Sequence, residues 1–270
     1  MSYNNISQEL QSLCFNASIG HGTYDDVQQW LLFNKTNPDI VSSAIVLEIL
    51  IRCKAPLYVV KTYINILREA GKMISELGRH FLHIACSVGT SFEVFKILFE
   101  NNYYGIHTKD SDGNLPLHHA CMKGMDISPE IISTLVWSAD EHCYSLNNDG
   151  FSPKDLLSNV AMCKDENGMI LLHHIARSKR VTTKVIEFVV DAYPSGIFTP
   201  DNNGMLPFHH ALLNFWIWDF DVVYTLLQLY PDAVAEKYAY EIYDWDCLNR
   251  CDARFTQLTR ANRVNRSIKR

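Results

Sequence analysis

The sequence predicts an all-α solenoid of stacked helix-turn-helix repeats, interrupted by one half-repeat near 150–164. Three observations carry that prediction. A turn-and-histidine phrase recurs, as Asp110-Ser111-Asp112-Gly113-Asn114-Leu115-Pro116-Leu117-His118-His119-Ala120, again from Asp165 to Ala176, and again from Asp201 to Ala211. In each copy a glycine (Gly113, Gly168 or Gly204) lies five residues before the first histidine. Downstream comes an apolar pattern at i, i+1, i+4, i+5, which makes one stripe on a helix. It reads Val94-Phe95-Leu98-Phe99, Ile131-Ile132-Leu135-Val136, Val185-Ile186-Val189-Val190 and Val222-Val223-Leu226-Leu227. Finally, each stripe precedes the next histidine position by 24 residues, from 94 to 118, 131 to 155 and 185 to 209. Units of about 35 to 37 residues result, each with two helices and a Gly-containing turn; such self-similarity marks a repeat array.

Taken in order, residues 6–37 hold two apolar stretches, Leu10 to Phe15 and Val27 to Phe33, split by Gly20-His21-Gly22. Thr23-Tyr24-Asp25-Asp26 suits a helix start, with a capping hydroxyl and acids in the first turn. This is a degenerate first repeat or N-terminal cap, whose polar outer face is expected to keep the stack soluble. Counting back 24 from His83 lands on Val59-Val60-Tyr63-Ile64, so a second repeat spans about 40–72 without the glycine or histidine. Repeats at about 75–109 and 110–145 are regular. From Asp155 to His173 is only 18 residues, room for one helix from Ser152-Pro153 to about Met162 but not for its partner. Either this half-repeat plugs the stack or the solenoid kinks into two sub-arrays there, leaving a weak joint. Repeats at 165–200 and 201–236 are regular again, and a worn last helix is expected around Trp245-Asp246-Cys247-Leu248. Residues 1–249 form the repeat domain, about six full repeats plus the half-repeat, and 250–270 a basic C-terminal cap or tail.

Leu115-Pro116-Leu117-His118-His119-Ala120, Leu206-Pro207-Phe208-His209-His210-Ala211 and Phe81-Leu82-His83-Ile84-Ala85 resemble the T-P-L-H-x-A motif of the ankyrin-repeat family. The likeness covers roughly 40–235, and the motif threonine is replaced by Leu115, Leu206 or Ile170. The resemblance implies an ankyrin-type solenoid and a non-catalytic protein-protein interaction scaffold without a cofactor. It implies that His83, His118, His173 and His209 are structural, and that the second histidine of each pair falls where the family has an apolar, inward-pointing residue. It also implies that turn tips and the exposed side of each first helix form a concave binding face. By the Gly-to-His frame its candidates are Arg79, Ser87, Val88, Ser111, Asp112, Asn114, Met122, Lys123, Asn148, Asp149 and Phe151. Further along they are Glu166, Asn167, Met169, Arg177, Ser178, Asn202, Asn203, Met205, Leu213 and Asn214.

Composition bounds the alternatives. A chain of 270 residues, 47% apolar and 20% charged, can bury a sizeable core, and no run of 18 uncharged apolar residues suggests a membrane span. Residues 1–14 carry no Lys or Arg and do not read as a signal peptide, and the eight cysteines include no C-x-x-C pair. An intracellular, cytoplasmic protein is expected, with a nuclear one as the variant. Net charge is −6, yet 250–270 carry seven Arg and Lys against Asp252 alone. That tail opens the alternative of nucleic-acid association, although no aromatics interleave its charges after Phe255. A metal-dependent or thiol enzyme is the other alternative, using His118, His119, Cys121, His173, His174, His209 and His210 as ligands, or Cys86 and Cys121 beside His83 and His118. Packed helices lie about 8 to 10 Å apart, whereas zinc needs four ligands at about 2.0 to 2.3 Å. A pair that recurs with the repeat is also what packing demands, so no metal ligands and no catalytic residues are expected.

Overall fold

The computed structural model describes residues 3–37, 44–69, 81–139, 143–178, 181–213 and 220–230, and among these it contains thirteen α-helices and no strand. In chain order they are α1 (Tyr3–Ser18), α2 (Tyr24–Phe33), α3 (Ala44–Arg52), α4 (Leu57–Glu69), α5 (Phe81–Val88) and α6 (Phe92–Asn101). Then follow α7 (Pro116–Lys123), α8 (Pro129–Ala139), α9 (Pro153–Ser158), α10 (Leu171–Arg177), α11 (Thr183–Ala192), α12 (Pro207–Leu213) and α13 (Phe220–Leu229). Six antiparallel-type pairs, α1/α2, α3/α4, α5/α6, α7/α8, α10/α11 and α12/α13, stack side by side. Inner helices pack on inner helices (α1, α3, α5, α7, α9, then α10 on α12) and outer on outer (α2, α4, α6, α8, α11, α13). The result is an ankyrin-type solenoid. Arg79, Asn214, the helix expected near 245–248 and the 250–270 tail lie outside the described residues.

The apolar stripes form the seam between the two rows. Val59, Val60, Tyr63 and Ile64 are buried, as are Ile131, Ile132, Leu135 and Val136. Each such foursome contributes about 6 to 12 kcal/mol gross, at about 1.5 to 3 kcal/mol per buried side chain. Phe99 and Val190, the last members of their stripes, are only half-buried. Ala120 and Ala211 sit where neighbouring inner helices approach, at 0% and 4% exposure. Only a small side chain fits there.

Helix starts show how the sequence compensates for its missing threonines. α2 opens with a full capping box: the Thr23 amide donates to Asp26 Oδ2 at 2.8 Å and the Asp26 amide to Thr23 Oγ1 at 3.3 Å. At α7, α10 and α12 the cap residue is Leu115, Ile170 or Leu206 and cannot accept. There the histidine three residues on accepts the cap amide at Nδ1, at 3.0, 3.1 and 2.8 Å for His118, His173 and His209. Half of the capping box survives, carried by an imidazole.

The half-repeat departs from expectation. Its helix, α9, begins at Pro153 behind a Ser152/Asp155 capping box but ends at Ser158 rather than near Met162. The chain continues in tight turns, with the Val160 and Ala161 amides donating to Leu157 O at 3.0 and 2.8 Å. α9 packs between α7 and α11, and Leu157 and Ala161 are buried. Val160 presses on Gly124 at the end of α7, where a Cβ would lie 2.7 Å from Val160 Cβ. Meanwhile α8 packs directly on α11, so the outer row runs unbroken past the missing helix. The N-terminal pair exposes polar residues such as Gln8, Glu9, Gln11, Asp25 and Gln29, and among them the apolar Phe15, Ile19, Leu32 and Phe33, Phe33 at 87%.

Candidate functional site

Each regular turn is built around one aspartate. Asp110 Oδ1 accepts the amides of Asp112 (3.0 Å) and Asn114 (2.8 Å); Asp165 and Asp201 do the same two and four residues on. The other oxygen accepts Nε2–H of the second histidine of the doublet, nine residues later. His119 meets Asp110 at 2.8 Å, His174 meets Asp165 at 3.0 Å and His210 meets Asp201 at 3.0 Å. Burial tends to raise these carboxyls. The hydrogen bonds from the histidines and from the turn amides outweigh it and hold all three below the usual carboxylate range. The second histidine therefore fastens its helix to its own turn; it does not fill an apolar pocket.

The first histidine fastens one repeat to the next. His118 Nε2 donates to Phe151 O at 3.2 Å, His173 Nε2 to Met205 O at 3.0 Å, and His83 Nε2 lies 3.0 Å from both Thr108 O and Asn114 O. With Nδ1 of His118 and His173 accepting an amide, the proton sits on Nε2 in each. Burial depresses the pKa of His118; it takes those of His173 and His209 down to about 4. Histidine rings also touch across repeats, His83 edge-on to His119 and His173 edge-on to His210, with ring centroids 5.8 and 5.2 Å apart.

Turns stack in register because of these bonds. The Asn148 amide donates to Asp112 O and the Asn202 amide to Asn167 O, both at 3.0 Å, while the two side-chain amides donate to Ser111 O and Glu166 O. Gly113 (φ +76°) lies under the first contact, where a Cβ would sit 2.5 Å from Asn148 Oδ1. The stack brings together the exposed tips Ser111, Asp112, Asn148 and Asp149, and in a second group Glu166, Asn167, Asn202 and Asn203. The amines of Lys109 and Lys164, at the bases of these turns, donate to Leu146 O and Pro200 O, at 2.6 and 3.2 Å. Acidic and amide groups thus dominate the ridge.

On the inner helices Ser87, Met122, Arg177 and Leu213 are exposed, and Val88, Lys123 and Ser178 are half-buried. Phe151 is exposed and Met205 half-buried at the turns. Two predicted contact residues do not reach the surface. Asn114 is 7% exposed, its Oδ1 accepting Asn147 Nδ2 at 2.9 Å, and Met169 is 6% exposed, its sulfur 3.9 Å from Arg177 Nη1. Both sit where the chain turns inward from tip to helix, the step at which a fixed Gly-to-His offset misjudges direction. A cleft of about 380 Å³, lined by Glu48, Arg52, His83, Ile84, Ser87, Asp110, Ser111 and His119, lies largely outside the predicted positions. Arg52 and Glu48 form an i, i+4 ion pair at 2.8 Å on α3. Their repeat lacks the glycine and histidine, so the frame had nothing to register it by; the charge spacing itself was the available signal.

The thiols that could have served as nucleophiles are poorly suited. Cys86 and Cys121 are fully buried, and burial pushes both well above the ordinary thiol value, with Cys143 and Cys86 adding to it at Cys121. Among the described residues no three His, Cys, Asp or Glu side chains converge to hold a metal ion, and no helix is long and apolar enough to cross a membrane.

No family model matches this sequence, and no curated protein does. Among solved structures, a similar chain is the ankyrin repeat domain of Bcl-3, described as a unique member of the IkappaB protein family. It is 17% identical, with 68% of this chain and 85% of that chain covered and a TM-score of 0.33. With so loose a superposition, the fold assignment rests on the repeat geometry described above.

Proposed function

We propose that this chain is a non-catalytic scaffold that binds a protein partner along the turn tips and inner helices of the solenoid, inside the cell, where its thiols stay reduced. One observation supports the reading above the others: the tips are held in register, repeat to repeat, by main-chain bonds, yet their side chains remain exposed. Asp112 and Asn148 are joined in this way, and so are Asn167 and Asn202. A surface whose framework is fixed while its side chains vary from repeat to repeat suits recognition of an extended protein surface. Its acidic and amide character favours a partner face rich in basic and hydrogen-bonding groups. Charge reversal tests it. A chain carrying Asp112→Lys, Asp149→Lys and Glu166→Lys should lose affinity for its partner at least tenfold while unfolding like the parent. Charge reversal at Glu93 and Glu100, the two acidic residues of α6, should leave binding intact, and loss of binding only with the α6 set would refute the concave site.

A further inference from the structure

We propose that the histidines joining successive repeats form an acid-operated clasp: proton uptake by His118 and His173 breaks both the cap of their own helix and the bond to the next repeat, so mild acid parts the array. The geometry carries this. Nδ1 of His118 accepts the Leu115 amide and Nδ1 of His173 the Ile170 amide, both imidazoles being 0% exposed. A protonated imidazole has no lone pair at Nδ1, so an N–H would be driven against an N–H in a buried site. The ring must leave its place, and Nε2 then releases Phe151 O or Met205 O, which belong to the following unit.

Neighbouring charges favour this outcome over a compensated one. Around His118 stand Lys109 and His119, both of which oppose a second positive charge, while the Phe151 and Ser145 carbonyls favour it. Around His173 stand His210 and His174, which oppose, and Asp201, which favours. Asp201 is committed to His210 and to two turn amides. The second histidines behave differently. A protonated His119, His174 or His210 still donates to its aspartate, now as an ion pair. These aspartates stay ionised below the usual carboxylate range. Acid therefore loosens the joints between repeats before it loosens the turns within them.

The sign is fixed by depressed folded-state values: stability is complete above the unfolded value near 6.5 and falls as pH drops towards about 4. For a histidine moved from 6.5 to about 4, the ratio of folded to unfolded chain falls about 20-fold more between pH 7 and pH 5 than without that group. Two measurements on the full chain test the clasp. In ¹⁵N- and ¹³C-resolved imidazole spectra of the wild type, His118 and His173 should remain neutral Nε2–H tautomers at every pH at which the repeats are intact. If either takes up a proton near pH 6.5 with its repeats still folded, the proposal is overturned. In urea unfolding at pH 7 and pH 5, His173→Gln, whose amide nitrogen replaces Nε2, should lose about 20-fold less of its folded population than the wild type does. An equal acid sensitivity in a folded His173→Gln chain also overturns it, and the spectra decide the matter if that variant does not fold.

Discussion

Replacing Asp201 with asparagine isolates what the doubled histidine contributes. Asp201 and His210 form the deepest of the three pairs, with side chains 2% and 7% exposed, against 24% and 29% for Asp165 and His174. Asparagine is the same size. Its oxygen can keep the two turn amides, now 2.8 Å from Oδ1, as neutral bonds in place of charge-assisted ones, at a cost of about 1 kcal/mol each. Its nitrogen, however, faces Nε2–H of His210. Either two donors oppose each other, or His210 moves its proton to Nδ1, a buried atom with no partner among the described residues. That leaves a buried unsatisfied donor, worth about 1 to 3 kcal/mol. Together Asp201→Asn should cost about 3 to 5 kcal/mol, and Asp165→Asn roughly half as much because water reaches that pair. Urea unfolding followed by circular dichroism at pH 7.5 gives both. A cost below about 0.5 kcal/mol for Asp201→Asn would show that the turn aspartates do not depend on their histidines.

Ala120→Leu should destabilise by about 1 to 3 kcal/mol, measured in the same way, because inner helices meet over that residue at 0% exposure. Gly124→Ala should destabilise because its φ of +59° and its 2.7 Å approach to Val160 both resist a Cβ. Combining it with Val160→Ala should recover about 1 kcal/mol of that loss in a double-mutant cycle, and strict additivity would show that the half-repeat is not docked on α7. In limited proteolysis, the first cut within 81–178 should fall in the exposed stretch Met162-Cys163-Lys164 after α9; early cuts inside α7 or α8 would contradict this.

Much of this architecture was legible in the sequence because repetition supplies its own control. One stripe such as Ile131-Ile132-Leu135-Val136 is an ordinary amphipathic helix, but three stripes each 24 residues before the same turn position (His118, Asp155 and His209) fix a frame. The same frame placed Ala120 and the half-repeat. It failed where function depended on pairing across the frame. Asp110, Asp165 and Asp201 repeat as faithfully as the histidines, yet nothing in a nine-residue spacing announces that a turn carboxylate and the second histidine will meet. The missing helix by itself suggests a weak joint, whereas α8 packing directly on α11 is a contact between residues far apart in sequence that periodicity does not encode. Likewise Asn114 and Met169 carry side chains that suit a surface, and only the inward bend of the backbone buries them.

The central claim, recognition through the ridge of stacked tips, is tested most directly by photo-crosslinking from defined positions. A photoreactive amino acid placed singly at Asn148 or Asn203, both exposed on the turn tips, should crosslink the bound partner. The same residue at Lys96 or Glu100, exposed on α6, should not. Crosslinks confined to α6, with none from Asn148 or Asn203, would place the partner on the opposite side and contradict the account.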